Sequence, residues 1–276
     1  MPENINRKVV DDFGKEWARF DQSDVNSNEL LKLFHQYFFL LDWKKLPKRA
    51  VGFDLGCGSG RWAMFCAPKV EELHCIEPSN AALKVAKQNL SNYKNCIFHE
   101  ASVDNIPIED NSMDFGYSLG VLHHVPETEK GIKSCVKKLK SGAPLLIYLY
   151  YALENRPLWY KIIWKISNIF RRIISIFPYP IKYISSQIIA LMIYLPFTSI
   201  SLLFEKFGIN VNNFPLANYR DKSFYTMRTD ALDRFGTRLE QRFTRSQIKT
   251  MMLKSGLENI EFSEPYWCAI GYKSHS

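Results

Sequence analysis

The sequence predicts an α/β fold built on a mostly parallel sheet and interrupted by a helical insertion. Three observations carry that expectation. Short apolar runs alternate with helical stretches between residues 50 and 151. The first run ends in a glycine-rich turn, Gly56, Gly58 and Gly60, that opens a helix. After Tyr151 the alternation stops, and residues 152–243 follow a different pattern.

The elements follow in order. Phe13, Trp17 and Phe20, then Leu30, Leu31, Leu33, Phe34, Tyr37 and Phe38, precede Pro47, the later set at helical spacing. Residues 1–46 therefore read as an N-terminal helical flap of one or two helices. Within residues 47–151, apolar runs at 51–55, 73–77, 96–98, 114–119 and 145–150 read as strands. Helical stretches at 80–90 and 127–139 connect them, as right-handed crossovers between parallel strands require. Residues 244–276 close the core. A helix over 245–255 ends at Gly256, and strands at 259–262 and 266–272 pair antiparallel around a turn at Pro265.

Bulk properties set bounds. A chain of 276 residues, 46% hydrophobic and 23% charged, buries a sizeable core and is not globally disordered. A formal net charge of +8 favours anionic partners without choosing among them. Cys57, Cys66, Cys75, Cys96, Cys135 and Cys268 form no C-x-x-C pair, so no metal site is expected. The first residues lack the basic start and apolar run of a signal peptide, and reduced cysteines in a cytoplasmic protein are the expectation.

The chemistry-bearing stretch is Asp54-Leu-Gly56-Cys-Gly58-Ser-Gly60. Glycines let a backbone approach a ligand closely, and a helix N-terminus presents unpaired N–H groups. Dinucleotide enzymes space these glycines G-x-G-x-x-G to hold a pyrophosphate. Here the spacing is G-x-G-x-G with an acid two residues ahead, which repels pyrophosphate and suits a cationic amino-acid group. Glu77 closes the second strand, where a carboxylate can accept from two vicinal ribose hydroxyls.

The runs D-L-G-C-G-S-G-R, I-E-P-S and S-V-D-N-I-P-I-E-D-N-S-M-D-F-G-Y-S-L-G-V-L-H-H-V resemble consecutive motifs of the class I S-adenosylmethionine (SAM)-dependent methyltransferases. The resemblance covers residues 48–150 and the closing 244–272. It implies a Rossmann-like seven-stranded sheet in the order 3-2-1-4-5-7-6, strand 7 antiparallel, and SAM as cofactor. Carried over, Asp54, Gly56 and Gly58 lie against the methionine part of SAM. Glu77 binds the ribose, Ser102 and Val103 flank the adenine, and Leu119 and Gly120 line the methionine side. Many relatives carry an acid where Ser102 stands, and Asp104 lies two residues on.

Methyl transfer needs a base only when the acceptor must lose a proton. His123 and His124, after the fourth strand, are the candidates; the alternative is that they stabilise their loop. In the insertion, Ile162, Ile163, Ile166, Ile169, Phe170, Ile173, Ile174 and Phe177 make an apolar stripe with Lys165, Arg171 and Arg172 between them. Such a helix either packs as a lid or makes peripheral membrane contact through 162–177. Residues 183–204 carry no charge, but their serines and Pro196 favour two cap helices over a membrane span. Residues 152–206 hold seven Lys/Arg against two Asp/Glu. Tyr219, Arg220, Tyr225 and Arg228 are candidate substrate-binding residues, with a salt-bridged loop as the alternative.

The resulting expectation is a methyltransferase acting on an O or N atom of a small-molecule, glycan or lipid-linked acceptor, with no nucleic-acid partner and no obligate protein partner. The rivals are an NAD(P)-dependent oxidoreductase on the same sheet and a non-catalytic SAM-binding or membrane-surface protein.

Overall fold

The computed structural model describes residues 3–264 and 267–275. Seven strands form one sheet: Val51–Leu55 (β1), Glu72–Glu77 (β2), Cys96–Glu100 (β3), Phe115–Leu119 (β4), Pro144–Tyr148 (β5), Leu257–Phe262 (β6) and Ala269–Lys273 (β7). Their order is β3-β2-β1-β4-β5-β7-β6. β1 to β5 pair in parallel, and β7 runs antiparallel to both β5 and β6. The expected order and the antiparallel strand are both present. The expected turn at Pro265 and the start of its strand at Tyr266 lie outside the described residues.

The protein divides into two compact units. The first comprises residues 1–22, 31–152 and 239–276; the second comprises 23–30 and 153–238. The sheet belongs to the first unit. Its neighbours there include Arg7–Arg19 (α1), the short Ala63–Cys66 (α3), Asn80–Asn89 (α4), Thr128–Lys138 (α5) and Arg245–Lys254 (α10). Alternate residues of each strand feed opposite faces. On β5, Leu146 joins Phe115, Tyr117, Trp62 and Cys66, whereas Leu145 joins Phe53, Ile76, Ile132 and Met252. The six cysteines are buried and unpaired.

Local sequence sets the helix starts. Asn6 caps α1 by accepting from the Val9 N–H, and Ser79 caps α4 by accepting from Ala82. Thr244 and Gln247 form a reciprocal capping box at α10.

The boundaries of the expected segments shift. Residues 239–243, read as part of the insertion, belong to the first unit: Gln241 donates to the Val125 carbonyl, and Phe243 donates its N–H to the Tyr150 carbonyl. Residues 1–46 do not form one flap, because 23–30 sit with the second unit. That segment begins Ser27–Tyr37 (α2), and Glu29 accepts from the Ser223 N–H and the Thr226 hydroxyl.

The second unit consists of Leu158–Ile174 (α6), Tyr179–Ile189 (α7), Leu195–Lys206 (α8) and Phe224–Gly236 (α9). α7 and α8 are not separate cap helices. A π-helical turn, Ala190–Tyr194, joins them into one helix of 28 residues from Tyr179 to Lys206. Pro196 was expected to break the run. It sits in the first turn of α8 just after the π turn, whose wider register tolerates the ring and the missing N–H. The small core of this unit joins Ala190 and Tyr194 to Met227, Ala231 and Phe235 of α9.

Candidate cofactor and active site

The C-terminal ends of β1, β2, β4 and β5 meet at one edge of the sheet, where open α/β sheets bind their ligands. The turn after β1 is stitched to the end of β2, since the N–H groups of Gly56 and Cys57 both donate to the Ile76 carbonyl at 2.8 and 3.1 Å. Gly56 and Gly58 take φ of 77° and 54°, where a Cβ is strained. A Cβ on Gly58 would also meet the Trp17 indole nitrogen at 2.9 Å.

Two carboxylates flank this turn. Glu77 is buried, and its oxygens accept from the Gly58 N–H and the Ser79 N–H, each at 3.0 Å. Burial pushes its pKa up to about 7 against those two hydrogen bonds. A carboxylate offers about four acceptor sites, so two remain for further donors. Asp54 is buried one strand away, and its Oδ2 has no hydrogen-bond partner among the described residues. Burial pushes its pKa up to about 8, opposed by the Tyr117 hydroxyl and reinforced by Glu77. An unpartnered buried carboxylate oxygen beside a glycine turn suits a cationic amino group, and the free acceptor sites of Glu77 suit a diol.

The remaining expected cofactor residues are distributed around the same edge. Leu119 is buried at the end of β4, and a Cβ on Gly120 would have no atom within 4 Å, so that position borders open space. Ser102 is half-buried after β3, and Val103 is buried beside it. Asp104 is committed elsewhere, accepting from the Asn4 N–H and lying 3.6 Å from the Lys130 ammonium.

α1 covers this edge. Gly14 lies so close to Ser79 that a Cβ would meet its hydroxyl at 2.3 Å. Trp17 rests on Gly58, the Phe13 ring lies tilted against that of His124 at 5.0 Å, and Phe20 is buried. Asn4 secures the start of the segment through a two-way pair with Glu127, its side-chain amide donating to the carbonyl and its oxygen accepting from the N–H.

His123 and His124 lie in a single 3₁₀ turn after β4, Leu122–His124. They differ sharply. His123 is 0% exposed, and neither ring nitrogen has a hydrogen-bond partner among the described residues. Its ring stacks on Tyr150 at 3.8 Å, and burial holds its pKa well below the usual range, so it is neutral. His124 places Nδ1 2.6 Å from the Leu239 carbonyl. A carbonyl only accepts, so Nδ1 carries a proton, and Nε2, itself buried, is the other ring nitrogen.

The substrate candidates Tyr219, Arg220, Tyr225 and Arg228 lie in the second unit, apart from the histidines in sequence and in unit. Arg220 grips Glu205 with Nε and an amino nitrogen at 2.8 and 2.9 Å. Arg228 donates to the Gln187 amide oxygen at 2.5 Å and the Tyr183 hydroxyl at 3.0 Å. Tyr219 meets Tyr194 edge-on, and the Tyr225 carbonyl accepts from Thr229. Arg220 thus makes a salt bridge of the kind the alternative reading requires, whereas Gln187 and Tyr183, which Arg228 meets, are neutral.

Sequence reasoning missed four features. Arg61 lies over the Trp17 and Trp62 rings at 5.7 and 4.4 Å. Tyr148 and Tyr150 line the end of β5, and Tyr37 meets Tyr148 edge-on. Arg242 pairs with buried Glu240 at 2.7 Å and lies over Tyr150. Asn4 clasps the α5 loop. Tyr148, Tyr150 and Tyr151 within four residues, Arg61 at the end of the glycine motif, and Glu240 with Arg242 in the polar stretch were available signals; Asn4 left none.

Comparison with known proteins agrees with this geometry. Residues 53–147, about a third of the chain, match the methyltransferase domain family. Phosphoethanolamine N-methyltransferase 2 of Caenorhabditis elegans is 32% identical over 100 residues, 35% of this chain and 23% of that protein. The ubiquinone biosynthesis O-methyltransferase of Nitrosomonas europaea is 30% identical over 105 residues, 37% and 43% of the two chains. The matches therefore span less than half the length of these relatives. A chain in the solved complex of the Haloferax volcanii Trm112 methyltransferase activator shares the fold, with a TM-score of 0.52 at 11% identity, covering 95% of this chain and 98% of that one. The sheet order and the domain match place the core in the class I SAM-dependent methyltransferase superfamily, whose methyl donor is SAM. The final antiparallel strand also departs from the dinucleotide-binding order expected of the oxidoreductase rival.

Proposed function

We propose that the protein is an enzyme that binds SAM at the ends of β1 and β2 and transfers its methyl group to an oxygen or nitrogen of a small-molecule, glycan or lipid-linked acceptor. The observation that carries this reading is the pair of buried carboxylates beside the glycine turn. Asp54 receives the donor's ammonium on its unpartnered oxygen. Glu77 receives the ribose hydroxyls on its remaining acceptor sites. Ser102 and Val103 border the adenine, and Leu119 and Gly120 border the methionine side. α1 closes over the donor through Trp17 and Phe13 and excludes water.

When bound, SAM supplies an electrophilic methyl on its sulfonium. The chain aligns the acceptor with that methyl, and alignment is the larger part of such catalysis. For a hydroxyl or protonated amine acceptor, His124 takes the proton at Nε2 while Nδ1–H stays on the Leu239 carbonyl. Neutral His123 stacks between Tyr150 and His124 and orients that ring. The names of the two curated relatives describe N-methylation and O-methylation, so both acceptor atoms occur among proteins similar in this core.

Calorimetry with S-adenosylhomocysteine tests the reading. Micromolar binding is expected. Its absence in folded protein overturns the proposal. A His124→Asn variant that binds the cofactor product normally but loses methyl transfer to a hydroxyl acceptor supports the assigned base.

A further inference from the structure

The second unit is built with its polarity reversed. In a water-soluble helix the apolar stripe faces the core. Along the 28-residue helix from Tyr179 to Lys206, the inward positions carry Lys182, Ser186, Thr198 and Ser201 beside Ala190 and Tyr194, with Ser186 and Ser201 0% exposed. Their burial is tolerated in part because hydroxyls bond their own helix: Ser186 donates to the Tyr183 carbonyl and Thr198 to the Leu195 carbonyl. Outward stand Ile184, Ile188, Leu191 and Met192, the last 66% exposed. Only 22% of the most apolar 18-residue stretch is buried.

α6 repeats the inversion. Arg171 is buried, donating to the Asn168 amide oxygen and the Thr237 carbonyl. Ile162, Ile166, Ile169 and Ile173 are all exposed. Most of the apolar stripe read from the sequence therefore faces outward on α6, with Ile174 turned toward the small core of the unit. Exposed large apolar surface joined to buried polar groups is the informative combination, because soluble monomers rarely show either.

We propose that α6 and the 28-residue helix form a bilayer-binding surface that lies in the interfacial plane of an anionic membrane. Charge selects this occupant. Lys165 and Arg172 are exposed among the outward isoleucines of α6, and with Arg171 and Lys182 buried, residues 152–206 still present five Lys/Arg against two Asp/Glu. An isologous pairing with a second copy would bring these like charges together, whereas anionic headgroups complement them. Exposed Trp159 at the start of α6 suits the headgroup layer.

The orientation follows from α9. The helix is about 42 Å long at 1.5 Å per residue, enough to cross a bilayer. Its inner face, however, packs on α9, whose Arg228 is bonded to Gln187 and Tyr183. Crossing would carry the Arg228, Asp230, Asp233 and Arg234 side chains of α9 to bilayer depth, where ionised groups are costly. Lying in the plane leaves them on the watery side. This surface does not depend on the methyl-transfer reading; it deepens that reading only by favouring the lipid-linked members of the acceptor class.

Vesicle flotation of the full chain tests it. Binding to phosphatidylglycerol-containing vesicles, at least tenfold above pure phosphatidylcholine at low salt, is expected. Ile166→Glu with Ile188→Glu should cut that binding at least tenfold with unchanged circular dichroism. Lys165→Gln with Arg172→Gln should remove most of its salt dependence. Alkaline carbonate should release the bound protein. Failure to float with anionic vesicles overturns the proposal, as does a salt-stable dimer that the glutamate pair dissociates while vesicle binding is unaltered. Retention after carbonate treatment overturns the in-plane orientation. S-adenosylhomocysteine calorimetry on the same preparation keeps the two readings separate, since either can fail while the other stands.

Discussion

The two units of this chain solve opposite burial problems. The first buries aliphatic and aromatic side chains on both faces of its sheet, and its most conspicuous buried charges, Asp54 and Glu77, sit at the strand ends. The second buries Lys182, Arg171 and, along its 28-residue helix, Ser186, Thr198 and Ser201, and turns most isoleucines of α6 outward. A buried unpartnered carboxylate is costly unless a ligand completes it, and an exposed apolar face is costly unless a surface covers it. On the two proposals, the unfavourable feature of each unit is completed by a partner: the donor's ammonium in the first, a bilayer surface in the second. Variants of one unit should therefore leave the partner of the other undisturbed.

The largest effect should come from Glu77→Ala. It removes the proposed ribose acceptor and frees the Gly58 and Ser79 N–H groups from their shared partner. Hydrogen bonds to a charged group contribute about 1.5–3 kcal/mol each, so S-adenosylhomocysteine affinity should fall roughly 100-fold or more. Vesicle binding should not change. A variant with wild-type affinity would remove the carboxylate from the site and break the comparison on its first side.

Asp54→Asn comes next, and its signature is pH dependence. The carboxyl titrates at about 8 in the folded protein against its ordinary value of 3.8. Between those values the folded state holds a proton that the unfolded state releases. The stabilisation is complete below pH 4 and disappears as the pH rises through 8. Wild-type thermal stability should therefore fall toward alkaline pH more steeply than that of Asp54→Asn. Ligand binding runs the other way. A cationic ammonium selects the ionised carboxylate, so SAM affinity should rise with pH until it levels off above about 8, with proton release into the buffer. Calorimetry in buffers of different ionisation enthalpy measures that release. A pH-independent affinity in the wild type would mean that Asp54 does not meet the ammonium.

A smaller change is expected from Trp17→Ala. The indole lies on Gly58 and shares the Arg61 cation with Trp62. Losing it uncovers the donor site without touching either carboxylate. Cofactor-product affinity should drop roughly tenfold, in keeping with one lost aromatic contact and its cation–π partner. Dissociation should accelerate more than association slows, and stopped-flow fluorescence separates the two. Unchanged dissociation would make α1 a packing element only.

How much of this was legible in the sequence differs between the units for a physical reason. β1 to β5 show themselves because buried parallel strands are continuous apolar runs between turn residues, and the glycine turn fixes where the first one ends. Asp54 and Glu77 are readable because their strand positions dictate where they point. In the second unit, periodicity reveals an apolar stripe but not its direction. Ser186, Thr198 and Ser201 read as interruptions of an apolar run, yet they are its inner face. Pro196 reads as a break, yet the π turn before it absorbs the fault. Arginines such as Arg220 and Arg228 look alike whether they grip a ligand or a neighbour, and Gln187, Tyr183 and Glu205 are their partners only once the helices fold together.

That last ambiguity sets the smallest predicted effect. Arg228 joins α9 to the 28-residue helix through Gln187 and Tyr183. If its work is structural, Arg228→Ala should lower Tm by roughly 2–4 °C, the scale expected when about 1 kcal/mol is lost from a chain of this size. Cofactor-product affinity should be unchanged, and methyl transfer should fall only as far as the folded fraction falls. If the same fork instead grips an anionic acceptor, the acceptor KM should rise at temperatures where the variant is fully folded, and the Tm should scarcely move. Measuring KM and Tm on one preparation distinguishes the two, because the loss of a bond within the unit registers in Tm and the loss of a bond to a ligand registers in KM.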